Sequence, residues 1–353
     1  MSRPRSSQLE DRGRFMSAVA RAPFDDALRL VWADEQLDLG EPRAEAISLD
    51  NALPGLEVEQ QGLARARLAS LTEQHGAQWA PDLAPFLDLP RCIFRLGFLD
   101  TAVISWRAPA RALRSVAASP DWRTVRRVFF NGSAPSLDPA GRKSPEAVTQ
   151  LELLRRLPWL TGVGGLLPNV FLAMGPHAPL TALHLRLEAP PSGALLARLS
   201  TFPALRRLAL REPKWAPPQQ MAPMWRPLTP PGLELLCLEC LGRAPGWLKL
   251  AKGLPTPRFA VQTPELGNAW LVTRQVRGGL AVDLWIPDAG YLAERCLAVL
   301  EDLPTPEITS LQVWTPGVLH DAHAARLTQA MARFGKAETA VLTGRLRVHP
   351  VFD

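Results

Sequence analysis

Lysine is almost missing from this chain. It stands only at Lys143, Lys214, Lys249, Lys252 and Lys336, so nearly all of the 40 basic residues are arginine. Against 34 acidic residues they leave a formal net charge of +6. That mild excess permits acidic or nucleic-acid partners without demanding them. Cysteine is scarce too: Cys92, Cys237, Cys240 and Cys296 are too few and too scattered to staple 353 residues. No apolar run reaches the roughly 18 residues of a membrane span. Met1 to Arg14 is polar and charged, without the apolar core of a signal peptide, so a cytoplasmic protein is expected. The chain contains no Gly-x-Ser-x-Gly elbow and no HExxH pair. Gly162, Gly164 and Gly165 lack the spacing of a phosphate loop and its Lys-Ser/Thr, and mark a degenerate strand. With no nucleophile, base and acid set to name, no enzyme, cofactor or resident metal is expected.

What is present is a recurring phrase. Leu180-x-x-Leu183-x-Leu185 returns as Leu205-x-x-Leu208-x-Leu210 and as Leu233-x-x-Leu236-x-Leu238, at steps of 25 and 28 residues. A period of about 20–29 residues is that of leucine-rich repeats. Alternate residues of a strand face opposite ways, so the paired leucines share one side. One such unit cannot bury its apolar face alone and must stack on neighbours. Degenerate versions read as strands around Leu99–Ile104, Val125–Phe130, Leu160–Val163, Phe259–Val261, Ala281–Ile286, Ile308–Val313 and Leu346–Val348. Helix-like pieces fall between them at 109–118, 145–157, 193–199, 247–253, 291–303 and 318–334. Strand then helix, repeated, favours a parallel sheet lined by helices. The Asn usual after the third Leu is absent, with Glu188 and Pro213 in its place, so main-chain turns are expected to do its work. The 35 prolines are spread between the phrases, and 213–231 gathers seven of them with Trp215 and Trp225. That segment reads as a long connection or a docking segment.

The first 80 or so residues read instead as four helices, the second opening at Asp25-Asp26 and closing at Gly40. Leu28, Leu30, Val31 and Trp32 form its expected buried side. Asp25-Asp26-Ala27-Leu28-Arg29-Leu30-Val31-Trp32-Ala33-Asp34, with Gly40-Glu41-Pro42-Arg43-Ala44-Glu45, resembles the bacterial repeat-companion domain. That domain accompanies leucine-rich-like repeats in myxobacteria and planctomycetes. Phe94-Arg95-Leu96-Gly97-Phe98-Leu99 resembles its exit into the first repeat strand. Glu35-Gln36 stands where the family has Trp-Leu, and Ala44 where it has Gly. The resemblance covers about residues 12–100 and implies an array-associated cap, with no activity to carry over. The expected fold is therefore α/β: a small all-helical N-terminal cap, 1–97, followed by an irregular leucine-rich-repeat-like solenoid with a parallel sheet, 98–353.

Two metal readings are weak. Cys237-x-x-Cys240 has no second pair, and alternation turns Cys237 away from Leu236 and Leu238. His320 and His323 share a helix face but lack a third ligand. The stronger constellation is geometric. Residues between the leucines face away from the core, so stacking the phrases builds columns on a concave face. Arg127, Arg207, Asp283 and Ser310 form one; Phe129, His184, Ala209, Cys237, Trp285 and Gln312 the next; Asn131, Arg186, Arg211, Glu239 and Trp314 a third. Arg127, Phe129, His184, Arg186, Arg207, Arg211, Trp285 and Trp314 are the expected partner-binding residues, Arg and Trp being the types enriched where partners dock. The expected function is a non-catalytic protein–protein interaction scaffold. The alternative is nucleic-acid binding through the Arg patch.

Overall fold

A computed structural model describes residues 5–105, 107–131, 145–157, 159–174, 179–187, 192–211, 232–239, 256–262, 269–277, 279–286, 297, 299–301, 303, 308–315, 321–335 and 338–343. It is a mixed α/β structure with two compact units, Met1–Thr161 and Gly162–Asp353. The boundary expected at 97/98 falls inside the first unit.

The first unit opens with helices α1 (Arg5–Arg21), α2 (Asp26–Leu37), α3 (Pro42–Ala52) and α4 (Val58–Trp79). The Asp25 carboxylate caps α2 by accepting the Leu28 N–H at 3.1 Å. Gly40 follows α2 with φ +70°, a left-handed conformation that suits glycine. Pro42 opens α3, where a missing N–H costs nothing. The core gathers Phe15, stacked on Trp32 at 4.2 Å between centroids, with Ala33, Ala44, Ile47 and Phe98. A second cluster joins Ala46, Leu71 and Trp79. Of the residues expected on the buried side of α2, Trp32 is buried and Leu28 and Leu30 pack partly buried against the core, but Val31 is 61% exposed; Arg29 and Ala33, spaced i and i+4, turn inward with Trp32. Arg43 of α3 is buried too, at 2% exposed. Its guanidinium donates to the Trp79 carbonyl at 2.9 Å and lies over the Phe98 ring at 5.0 Å.

The unit continues into an antiparallel hairpin of β1 (Ile93–Arg95) and β2 (Phe98–Ser105). Leu96 and Gly97 form its tight turn, both at positive φ (47° and 71°), as a primed turn requires. The Leu96 N–H is held by Asp50 Oδ2 at 2.7 Å, and a Cβ on Gly97 would meet Arg43 Cγ at 2.7 Å. After α5 (Ala110–Ser115) comes β3 (Arg127–Asn131), parallel to β2, and then α6 (Pro145–Arg155). Arg114 fastens α5 to α6 through Thr149 Oγ1 and Glu152 Oε2, each at 3.0 Å.

The second unit carries β4 (Gly162–Leu166), α7 (Pro168–Ala173), β5 (Ala182–Arg186), α8 (Gly193–Leu199), β6 (Arg207–Arg211), β7 (Leu235–Glu239) and β8 (Arg258–Gln262). These strands pair parallel, in sequence order. Leu183, Leu185, Leu208, Leu210, Leu236 and Leu238 are 0–1% exposed on one face, as the phrases predict. Main-chain bonds link successive strand entries without Asn. Arg206 and Arg207 N–H groups donate to Thr181 O, and those of Glu234 and Leu235 to Arg206 O.

The all-parallel expectation fails next. β9 (Trp270–Val276) runs antiparallel to both β8 and β10 (Gly279–Trp285), so the chain doubles back where a crossover was expected. β11 (Ile308–Thr315), α9 (Asp321–Met331) and β12 (Glu338–Thr343) restore the parallel order. The strand expected at Leu346–Val348, the helix expected at 247–253 and the proline-rich 213–231 lie outside the described residues. The last of the expected helices at 318–334 is α9. No helix among the described residues is long and apolar enough to cross a membrane.

Candidate functional site

Register turns the second unit's face opposite the leucines into three lateral rows. Paired residues point to the same side of a sheet. The first row runs Ala182, Arg207, Leu235, Arg258, Arg274, Ala281, Ser310, Glu338. The middle row runs His184, Ala209, Cys237, Ala260, Val272, Asp283, Gln312 and Ala340 along the same strands. The third starts at Arg186, Arg211, Glu239 and Gln262, and Trp270, Trp285, Trp314 and Leu342 occupy the same level on β9 to β12.

The middle row is not an open surface, contrary to expectation. His184, Ala209, Cys237, Ala260 and Val272 are fully buried and Asp283 nearly so. Polar and aromatic residues on its two sides shield it. On one margin Arg207 and Arg258 are half-buried and Arg274 is exposed. On the other, Arg186, Glu239, Gln262 and Trp314 are half-buried and Arg211 is exposed.

Near the head of the third row a carboxylate of β7 reaches both β5 and β6. Glu239 Oε1 lies 3.2 Å from His184 Nε2, and Oε2 lies 3.3 Å from Arg211 Nε. His184 Nδ1 accepts the Gly165 N–H at 3.3 Å. The imidazole proton in the neutral form therefore sits on Nε2, facing Glu239. Ala209, between the strands of His184 and Cys237, is small enough to leave the diagonal open. An imidazole oriented by a carboxylate is half of an acyl-transfer triad. The thiol in its row cannot complete it: Cys237 lies two strand spacings away, about 10 Å. Burial also pushes the Cys237 thiol well above its ordinary range, and Glu239 adds to that. The arrangement orients Arg211 and does not bring Cys237 to the imidazole.

Trp285 and Trp314 are direct neighbours, where Trp285 was expected opposite Gln312: Val282 and Leu284, rather than Leu284 and Ile286, are the residues of β10 that pair with Leu311 and Val313, and β11 also holds an extra residue at its start. Leu280 pairs with Ile308 and Ala281 with Ser310, and the intervening Thr309 donates its hydroxyl to Leu280 O at 3.1 Å. Trp285 is 4% exposed, so of this pair Trp314 presents the more accessible ring. Arg127 and Phe129 belong to the first unit. Arg127 is engaged by Asp100 at 2.7 Å, and Phe129 is 8% exposed. Arg258, on the expected strand β8, was left out of the columns, and Arg274 and Trp270 were missed because β9 was not recognised. The alternating run Trp270-Leu271-Val272-Thr273 carries that signal. Cys240 and His320 lie outside the described residues, and among those described no three His, Cys, Asp or Glu side chains gather to hold a metal.

In comparisons with known proteins, no family model, no curated protein and no solved structure matches this chain.

Proposed function

We propose that this chain is a non-catalytic interaction module. Its second unit acts as an irregular leucine-rich-repeat-like solenoid, and its N-terminal helices are of the repeat-companion type. The partner is a protein, docked on the face opposite the leucine core. One observation carries the reading: strand register lines up Arg186, Arg211 and Glu239 at the level of Trp270, Trp285 and Trp314, on a face that the leucines do not use. Forked guanidinium donors suit carboxylates, and a half-buried indole suits an apolar anchor. The Glu239 carboxylate at 3.3 Å holds Arg211 in a defined orientation, which lowers the ordering cost of binding.

The test starts with capture of partners from the native host and crosslink mapping. Arg211→Glu and Trp314→Ala should each leave the melting temperature nearly unchanged and weaken capture; an anchoring aromatic is worth about 2 kcal/mol or more. Crosslinks confined to the helices would overturn the reading. The opposite margin, with Arg207, Arg258 and Arg274 on successive or neighbouring strands, supports the second reading, nucleic-acid binding. That reading requires affinity for unrelated DNA or RNA at physiological salt that falls steeply as salt rises and is lost in Arg274→Glu.

A further inference from the structure

The first unit holds a cleft of about 520 Å³ that the interaction face does not explain. That lies within the roughly 300–1,000 Å³ of sites for small organic molecules. It opens between the C-terminal half of α1, the end of α4, the start of β2 and a 3₁₀ turn at Pro120–Thr124. Its floor is apolar and buried: Val19, Trp79, Ala80, Phe98 and Leu99 are each 5% exposed or less. The one buried hydroxyl of the lining is already engaged, since Thr124 Oγ1 donates to Leu99 O at 2.9 Å. Apolar contact is what such a floor offers a ligand.

The charged residues of the lining are Arg21, Arg123 and Asp121, two guanidiniums against one carboxylate. The arginines are exposed and mark the mouth, while Asp121 is half-buried. Asp121 neutralises neither of them. Its Oδ2 accepts the Asp82 N–H at 3.1 Å, and neither Arg21 nor Arg123 forms an ion pair with a described residue. Arg123 donates to the Ala20 carbonyl at 3.4 Å, and Arg21 stands in the last turn of α1. The negative end of one helix thus holds both guanidiniums at the mouth, with most of their donors unused among the described residues. Burial pushes the Asp121 carboxyl up, so charge is disfavoured beneath the rim, and the charged end of a ligand belongs at the exposed arginines.

We infer that this cleft binds a hydrophobic monocarboxylic acid, its apolar body on the floor and its carboxylate at Arg21 and Arg123. One carboxylate matches a lining with a surplus of one positive charge. Forked guanidinium donors suit it, and each methylene moved from water onto the floor adds to the affinity. An apolar cation of the same size meets two unpaired guanidiniums at the mouth and is disfavoured. The acid is aliphatic or aromatic; the chemistry is shared and the test separates them.

The full chain is titrated calorimetrically at about pH 7, where carboxylic acids are ionised, with decanoate, naphthylacetate, acetate and decyltrimethylammonium. Saturable binding of decanoate or naphthylacetate is expected, and none of acetate, which lacks the apolar body, or of the cation. Tighter decanoate binding makes the natural ligand an aliphatic acid; tighter naphthylacetate binding makes it an aromatic one. Arg123→Gln, at an exposed position, should keep the melting temperature and weaken binding about tenfold or more, the worth of one charge-assisted bond. Ala20→Phe, at a half-buried position of the lining, should fill the cleft and abolish binding in protein shown to be folded. No saturable binding of either acid, equal binding of acetate or of the cation, unchanged binding in Arg123→Gln, or undiminished binding in folded Ala20→Phe overturns the inference.

Discussion

Asp100→Asn tests the charge pairs of the first unit with little change of shape. Asp100 is 3% exposed and receives Arg126 Nε at 2.5 Å and an Arg127 terminal nitrogen at 2.7 Å. Burial pushes its carboxyl up, but the Arg127 and Arg126 guanidiniums outweigh that and hold it below the usual carboxylate range. Breaking a buried pair costs about 3–5 kcal/mol. Here the two arginine side chains keep 28% and 25% of their surface, so water recovers part of the loss and about 2–3 kcal/mol is expected. In a unit of 161 residues each kcal/mol moves the midpoint by about 2–4 °C, so the variant should melt roughly 4–12 °C lower. The pH dependence has a fixed sign. A carboxyl whose folded pKa is depressed stabilises fully above its unfolded value near 3.9, and that stabilisation disappears as pH falls through the folded value. The gap between wild type and variant should therefore be complete at about pH 6 and shrink progressively below about pH 4. Thermal unfolding followed by circular dichroism across that range reads both. A variant as stable as wild type near neutrality, or a gap unchanged in acid, would refute the reasoning.

Leu208→Ala should destabilise the second unit by about 2–5 kcal/mol, since Leu208 is fully buried between Leu183 and Leu236 and leaves a cavity; denaturant midpoints measure it, and a loss under 1 kcal/mol would contradict the packing. Cys237, fully buried with its thiol pushed well up, should not react with an aromatic disulfide reagent in the folded protein and should titrate fully in denaturant. Rapid labelling of Cys237 under native conditions, identified by mass spectrometry, would show that the middle row is open.

The leucine phrases were legible because one period repeats and each places two leucines on the same side. Degenerate strands with a Val or Ile in the phrase were legible for the same reason. Arg29 and Arg43 were not. Local pattern assigns an arginine to the surface, and what buries these two includes the Phe98 ring, supplied by a strand far along the chain. The hairpin at β9 was missed because the phrase period assumes a crossover between strands, and a short antiparallel return breaks that period. The columns of the candidate face followed from alternation, so Arg186, Arg207, Arg211 and Glu239 fell into place. The Trp285 pairing did not, because alternation does not say where the phrase of β10 starts: Val282 and Leu284, not Leu284 and Ile286, pair with Leu311 and Val313. Nor can it show that a row between two polar margins is buried: that depends on side-chain reach across strands, here of Glu239 over Ala209 to His184.

The reversal at β9 leaves the candidate face continuous, and the core explains why. Antiparallel partners point to the same side, so Arg258–Arg274–Ala281 and Ala260–Val272–Asp283 keep their levels through two changes of direction. Leu271 pairs with Leu284 and Phe259 with Thr273, all 0–2% exposed on the leucine side. A slip of one residue in β9 would turn Leu271 outward and drive Trp270 and Arg274 into the core. The cost of burying Arg274 without a partner forbids that slip. The same apolar pattern that packs one face therefore fixes the tryptophans on the other. A partner that recognises Trp314 beside Trp285 is reading a consequence of the core, and substitutions that loosen the pairing of Leu271 with Leu284 should disturb that recognition without touching the surface.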